Sequence, residues 1–361
     1  MNFTLHLTAD CNFACRYCYE THRPARMDER VALAACDLAF SFGHIKNGFS
    51  LFGGEPLLCR DLIEKVFRRC AELNAQRKGE LAYKLTTNGS LLDEDFIKLA
   101  NENNCEIALS HDGLLQDEQR LTRGGAGTAE LLEPKIDLLL KHQLNALAMM
   151  TLLPRNAGRL FDSVKWLHER GFARVNLAID YRPDAEWDDD SMAELDRQYE
   201  RIALYCAEHY DDEKPLRFLN FESKVAAYVN DRPCIECRLG VKQPSIAPDG
   251  TIYPCNQFLG LPDYAMGSVF TGIDAKAQRR IYRASLAPEK SCEGCAIEKR
   301  CRHHCACLNF SMTGDMHTVP AVQCVHERSV IKNADLMAGL LYERKSERFM
   351  RAYGETAVNS K

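Results

Sequence analysis

Apolar and polar positions follow two different periods in the first half of the chain, and the switches between them mark out repeating pairs of elements. Phe3 to Thr8 alternates apolar and polar side chains, the period of two that predicts a half-buried strand. Met27 to Phe42 spaces its apolar residues three and four apart, which predicts one face of a helix. Short apolar runs at 48–52, 81–86, 106–110, 145–153 and 175–179 read as further strands. Helical patterns at 62–78, 93–101, 131–142 and 160–171 fall between them. Strands and helices alternating in this order predict a parallel sheet with right-handed crossovers. Six such units are too few to close an eight-stranded barrel. The expected core is α/β, a partial (β/α)6 TIM-like barrel, with the site on loops that leave the strand ends.

Residues 184–230 break the alternation. Asp188, Asp189 and Asp190 open an acidic helical stretch reaching about His209, and acids suit a helix N-terminus. From about Asp231 the periodicity gives way to Cys, Gly, Pro and charge, and a helix and tail follow from Arg328. The expected divisions are a barrel over 1–183, a helical bridge over 184–230, a small cysteine-rich iron–sulfur domain over 231–327 and a C-terminal helix with tail over 328–361. The cysteine-rich stretch has too little apolar area to hold itself together, so bound metal is expected to supply folding energy.

Composition narrows the classes. Of 361 residues, 46% are apolar and 27% charged, which excludes a disordered chain. The net charge of -5 and the lack of a basic stripe give no support to nucleic-acid binding. With no signal peptide and no apolar run long enough to span a bilayer, a cytoplasmic setting without membrane contact is expected. The 17 cysteines change the picture. An odd count in a long chain without a secretion signal points to metal sites in a reducing compartment rather than to disulfides. Cys36, Cys59, Cys70, Cys105 and Cys206 fall singly in apolar or helical stretches and read as small buried hydrophobes. The others fall in three groups.

The first is Cys11-Asn12-Phe13-Ala14-Cys15-Arg16-Tyr17-Cys18, a Cys-x3-Cys-x2-Cys loop directly after the first strand. Three thiolates on a tight loop can hold three irons of a cubane cluster and leave the fourth open. Zinc is the rival; structural zinc takes four ligands, and the nearby His22 lies in a charged run. The spacing, its place in the chain and Tyr17 resemble the radical S-adenosylmethionine (SAM) superfamily. The resemblance implies that the open iron chelates SAM, that one electron cleaves SAM to methionine and a 5′-deoxyadenosyl radical, and that this radical takes a hydrogen from the substrate. Gly53-Gly54-Glu55-Pro56 resembles the family's glycine-glycine-glutamate motif, which contacts the methionine amino group. Ser110 resembles the family's serine near the SAM ribose, and Arg120 the arginine that meets the SAM carboxylate, with Arg123 its local rival. Asn88 at the third strand end and Asn176 on the sixth strand are the remaining candidates for lining the SAM pocket.

The later groups read Cys234, Cys237 and Cys255, then Cys292-x2-Cys295-x5-Cys301-x3-Cys305, Cys307 and Cys324. The series running from Cys237 through Gly250 to Cys324 is similar to the SPASM extension, which implies two auxiliary clusters and three [4Fe-4S] clusters in all. By that resemblance the inner cluster takes Cys234, Cys237, Cys255 and Cys305, and the distal one Cys292, Cys295, Cys301 and Cys324. Cys234 lies closer to Cys237 than in some relatives, and Cys307 is an extra thiol expected not to be a ligand. The stretch Gly250 to Cys255 resembles a small hairpin with Asp249-Gly250 as its turn.

The resemblance implies an oxidoreductase. The expected function is a peptide maturase that forms a thioether or other crosslink with net loss of two hydrogens. The alternative is an anaerobic sulfatase-maturating enzyme, which oxidises Cys or Ser to formylglycine; an alternative of another class is a non-catalytic electron-transfer protein. In sulfatase-maturating relatives an aspartate directly follows the hairpin cysteine. Here that place is Asn256, whose amide is a poor general base. The expected partners are a precursor peptide and a flavodoxin- or ferredoxin-type reductant. The first strand begins at Phe3 and leaves no room for an N-terminal leader-binding domain. Capture of the peptide is therefore expected to fall to the 184–230 segment, the C-terminal helix or a separate leader-binding protein.

Overall fold

The computed structural model describes residues 2–143, 145–233, 237–286, 292–303 and 305–358. Cys234 lies outside the described residues. Strands and helices alternate as β1 (Asn2–Thr8), α1 (Glu29–Ser41), β2 (Lys46–Gly53), α2 (Arg60–Ala75), β3 (Glu80–Thr87), α3 (Glu94–Glu102), β4 (Cys105–Ser110), α4 (Gln116–Gln119), α5 (Ala129–His142), β5 (Leu147–Leu152), α6 (Leu160–Glu169) and β6 (Arg174–Ile179). There follow α7 (Asp189–Glu208), β7 (Arg217–Phe218), α8 (Leu219–Val229), β8 (Ser245–Ile246), β9 (Ile252–Tyr253), β10 (Gly267–Ser268), β11 (Gly272–Ile273), α9 (Ala275–Ala284), α10 (Ala306–Thr313), α11 (Ala321–Glu343) and α12 (Glu347–Val358). The chain divides into two compact units. One comprises Met1–Ser110, Asp117–Ala146 and Cys237–Ala287; the other comprises His111–Gln116, Leu147–Glu236 and Pro288–Lys361.

In the first unit β1 to β4 are parallel neighbours in sequence order. Phe3, Leu5 and Leu7 of β1 are fully buried, and Phe49, Leu51, Tyr83, Leu85, Ile107 and Leu109 continue that apolar face across β2 to β4. Helix α2 closes on it: the Phe67 ring meets the Tyr83 ring edge-on at 4.6 Å. Burying each such side chain contributes about 1.5–3 kcal/mol. Asp28 caps α1 and Asp93 caps α3, each carboxylate accepting a first-turn N–H that has no helical partner. The other edge of β1 is taken by β8, parallel to it, and β9 returns antiparallel. The sequence reading places this hairpin in the cysteine-rich segment; in the fold its first strand extends the barrel sheet and covers an edge that β1 would otherwise leave unpaired. The turn is Asp249-Gly250: the Asp249 carboxylate accepts the Thr251 N–H at 2.9 Å, and Gly250 sits at φ +89°.

In the second unit β5, β6 and β7 are parallel. Asp188 caps α7, so the acidic run is a helix start, with Ser191 completing a reciprocal capping box. The buried face of α7, including Leu195, Tyr199 and Ile202, packs on that of α11, including Val330, Ala334 and Met337. His326 of α11 lies between two tyrosines. Its Nε2 is 2.7 Å from the Tyr199 hydroxyl, and its Nδ1 meets the Tyr181 hydroxyl. Burial pushes His326 down to about 3, so it is neutral, and one ring nitrogen accepts while the other donates. Among the described residues no helix is long and apolar enough to cross a membrane.

Candidate functional site

The first cysteine loop is pinned on three sides within the first unit. Gly54 and Glu55 donate their backbone N–H groups to the carbonyls of Thr8 and Asp10, each at 2.8 Å. A Cβ on Gly53 would lie 2.3 Å from the Thr8 carbonyl oxygen, and one on Gly54 would lie 2.1 Å from that of Asp10. The paired glycines are therefore required by the close approach of the β2 end to the loop. On another side, Ala14 and Arg16 donate to the carbonyls of Leu121 and Gln119 at 2.7 and 2.9 Å. From β3, the Asn88 amide donates to Asn12 Oδ1 at 2.8 Å and reaches Cys11 Sγ at 3.7 Å.

Glu55 is fully buried. Its Oε1 accepts from the Leu57 N–H at 2.9 Å and the Thr87 hydroxyl at 2.7 Å, and its Oε2 accepts from the Asn88 N–H at 2.7 Å. Burial pushes its carboxyl up to about 7 against the pull of these three donors. Arg120 is buried, accepts the Thr128 hydroxyl on its carbonyl at 2.7 Å, and holds its guanidinium 5.2 Å over the Tyr17 ring. Arg123, its rival, is exposed and pairs with Asp10. Ser110 is half-buried at the end of β4 in this unit. Asn176 is half-buried on β6 in the second unit. The backbone bonds from the loop to Gln119 and Leu121 carry no sequence signal, because any residue types could make them.

Cys11 is buried, and desolvation pushes its thiol up to about 12; Cys15 and Cys18 are half-buried. His22 Nε2 lies 3.4 Å from Cys18 Sγ. Yet among the described residues no three His, Cys, Asp or Glu side chains converge tightly enough to hold a single metal ion. Cys36, Cys59, Cys70, Cys105 and Cys206 are buried, as expected.

The later cysteines follow the unit boundary. Cys237 and Cys255 are half-buried in the first unit, with Cys255 directly after β9. Asn256 accepts the Ser245 hydroxyl on its Oδ1 at 2.5 Å. Cys292, Cys295, Cys301, Cys305, Cys307 and Cys324 belong to the second unit. The Cys305 and Cys307 sulfurs are 3.5 Å apart, and that contact leads the causes that bring Cys305 down to about 7. The backbone on either side of Cys301 is braced by α8 and α11. Lys224 of α8 donates to the Arg300 carbonyl at 2.7 Å and to Glu327 at 2.5 Å. Glu327 in turn accepts the Arg302 N–H at 2.8 Å, and Gln323 donates to the Arg302 carbonyl at 3.0 Å.

Residues 5–167 match the radical SAM superfamily. A cysteine-type anaerobic sulfatase-maturating enzyme of Clostridium novyi is 22% identical over 325 residues, spanning 82% of this chain and 85% of that protein. Among solved structures, native anSMEcpe with bound AdoMet and the Cp18Cys peptide matches with a TM-score of 0.79 at 16% identity, covering 98% of this chain and 99% of the other. Streptococcus suis SuiB bound to the precursor peptide SuiA matches with a TM-score of 0.62 at 17% identity, covering 89% of this chain and 75% of SuiB. These likenesses show the fold: a partial α/β barrel followed by a cysteine-rich region and terminal helices. Residues 5–167 form a radical SAM superfamily domain, and the chain is an enzyme related in sequence to sulfatase-maturating enzymes and in fold to anSMEcpe and SuiB.

Proposed function

We propose that the chain is a radical SAM oxidase that acts on a peptide or protein side chain, with oxidation of a Cys or Ser residue to formylglycine as its reaction. The observation that carries this reading is coverage. The sulfatase-maturating enzyme of Clostridium novyi is matched over 82% of this chain and 85% of its own length, and the fold of anSMEcpe with a bound cysteine peptide over 98% and 99%. The comparisons thus favour formylglycine formation over the crosslinking that the sequence reading puts first.

In this reading Cys11, Cys15 and Cys18 hold the first four-iron cluster. When bound, that cluster with SAM supplies a carbon-centred radical able to take hydrogen from an unactivated C–H bond. The chain's own groups hold and shape the site. The Gly53-Gly54 approach and the Asn88 amide fix the loop, and the Arg120 cation stands ready for the SAM carboxylate. Glu55 offers a buried carboxylate to the SAM ammonium, with Ser110 and Asn176 completing the SAM contacts. Cys237, Cys255 and Cys305, with Cys234, hold an inner auxiliary cluster, and Cys292, Cys295, Cys301 and Cys324 a distal one. A flavodoxin- or ferredoxin-type protein delivers the electron.

One observation favours crosslinking as a second reading. Asn256 follows Cys255, where the resemblance to sulfatase-maturating enzymes implies an aspartate, and an amide does not accept a proton near neutrality. Anaerobic incubation with SAM, a strong reductant and matched Cys and Ser peptides, followed by mass analysis, separates the two. Formylglycine formation removes two hydrogens from either peptide and, in the Cys peptide, also replaces sulfur with oxygen. Thioether formation removes two hydrogens from the Cys peptide, keeps its sulfur and leaves the Ser peptide unchanged. Release of 5′-deoxyadenosine with every peptide unmodified would sink the peptide assignment.

A further inference from the structure

We infer that Arg328 sets the reduction potential of the distal auxiliary cluster, raising it through a fixed positive charge held against the ligand sulfurs. The inference rests on the proposed reading of Cys292, Cys295, Cys301 and Cys324 as the ligands of that cluster.

Cys324 and Arg328 stand four residues apart on α11, so they share one face of the helix. Arg328 turns its guanidinium onto the cysteines: Nη2 lies 3.8 Å from Cys295 Sγ, and the same group hydrogen-bonds Cys324. Two of the four proposed ligands, Cys295 by contact and Cys324 one helical turn away, therefore face one cation. Arg300, by contrast, is committed to Asp335 at 2.5 and 3.0 Å.

The physical consequence has a definite sign. A cluster on four thiolates is anionic and becomes more so when reduced, so a cation beside its sulfurs stabilises the reduced form more than the oxidised form. An arginine carries this charge at every pH at which the protein is folded. Arg328 is exposed, so part of its field is open to screening by salt.

Potentiometric titration of the reconstituted holoenzyme, followed by electron paramagnetic resonance, tests this with Arg328→Gln and Arg328→Lys, each checked for iron and sulfide. One midpoint potential is expected to fall in Arg328→Gln and to return towards the parent value in Arg328→Lys, with the others unmoved. The difference should shrink as ionic strength rises. Unchanged midpoints at full iron content would overturn the inference. Loss of about four irons in both variants would also overturn it, by making Arg328 a structural staple. A Cys292→Ser protein with undiminished iron would defeat the ligand assignment itself, and the inference with it.

Discussion

Glu55 has a structural task beside the ligand contact that its motif suggests. Its place in Gly53-Gly54-Glu55 suggests a carboxylate facing a ligand ammonium. In the structure both oxygens are already engaged by Leu57, Thr87 and Asn88, and the side chain ties the end of β2 to the end of β3. All three partners are donors, so Glu55→Gln must turn an NH2 group onto at least one of them. That change is expected to destabilise the protein by about 1–3 kcal/mol, read as a lowered urea midpoint. The raised carboxyl also makes stability depend on pH. Below 4.5 the group is protonated whether folded or not; as pH rises, the unfolded chain releases its proton first, and the folded chain resists until about 7. Its contribution to stability without SAM should therefore fall between pH 4.5 and about 7 and be flat above. Glu55→Gln should remove that slope, and an unaltered slope would place the titration elsewhere.

At the scale of elements, the first cysteine loop and the segment from Cys301 to Cys305 are held in different ways, and their substitutions should separate. The loop is fixed by backbone bonds from β1, β2 and residues 119–122 that do not need the thiols. Replacing Cys11, Cys15 and Cys18 with Ala should leave a folded protein carrying about eight irons that no longer forms 5′-deoxyadenosine from SAM. Retained cleavage would refute the assignment. The late segment hangs on the Lys224–Glu327 pair, whose side chains are 1% and 3% exposed. Removing one partner strands a buried charge, so Lys224→Met should cost about 3–5 kcal/mol, and Lys224→Met with Glu327→Leu should recover much of it. Iron content should stay low in the double variant, because Arg302 then loses the carboxylate that holds its backbone. The alternation of strands and helices, the cysteine loop and the Asp249-Gly250 hairpin were legible in the sequence because period and turn chemistry are local. The buried pair was not. Lys224 and Glu327 lie 103 positions apart, each on a helix where a charge reads as solvent-facing. The docking of β8 on β1 was hidden for a similar reason, since a two-residue strand carries no period.

Across the whole molecule, the end-to-end likeness to a sulfatase-maturating relative and the chemistry at one position pull in different directions, and that position can decide between them. Asn256 follows Cys255 and receives the Ser245 hydroxyl bond from β8, so its orientation is set by the strand that extends the barrel sheet. An aspartate there would accept the same bond, more strongly because it is charged, and would add a group able to take a proton. Asn256→Asp should therefore fold as the parent does. If the chain makes formylglycine with deprotonation as a slow step, the variant should raise the rate of that product from a Cys peptide. General-base catalysis typically contributes about 10²–10⁴-fold; a gain of about tenfold or more, with 5′-deoxyadenosine rising in step, would show that the position limits the parent enzyme. A thioether former needs the sulfur to remain and to close onto carbon, and a carboxylate beside Cys255 gives it no comparable advantage. An Asn256→Asp protein that still yields a sulfur-retaining product lacking two hydrogens, at the parent rate, would turn the assignment to crosslinking.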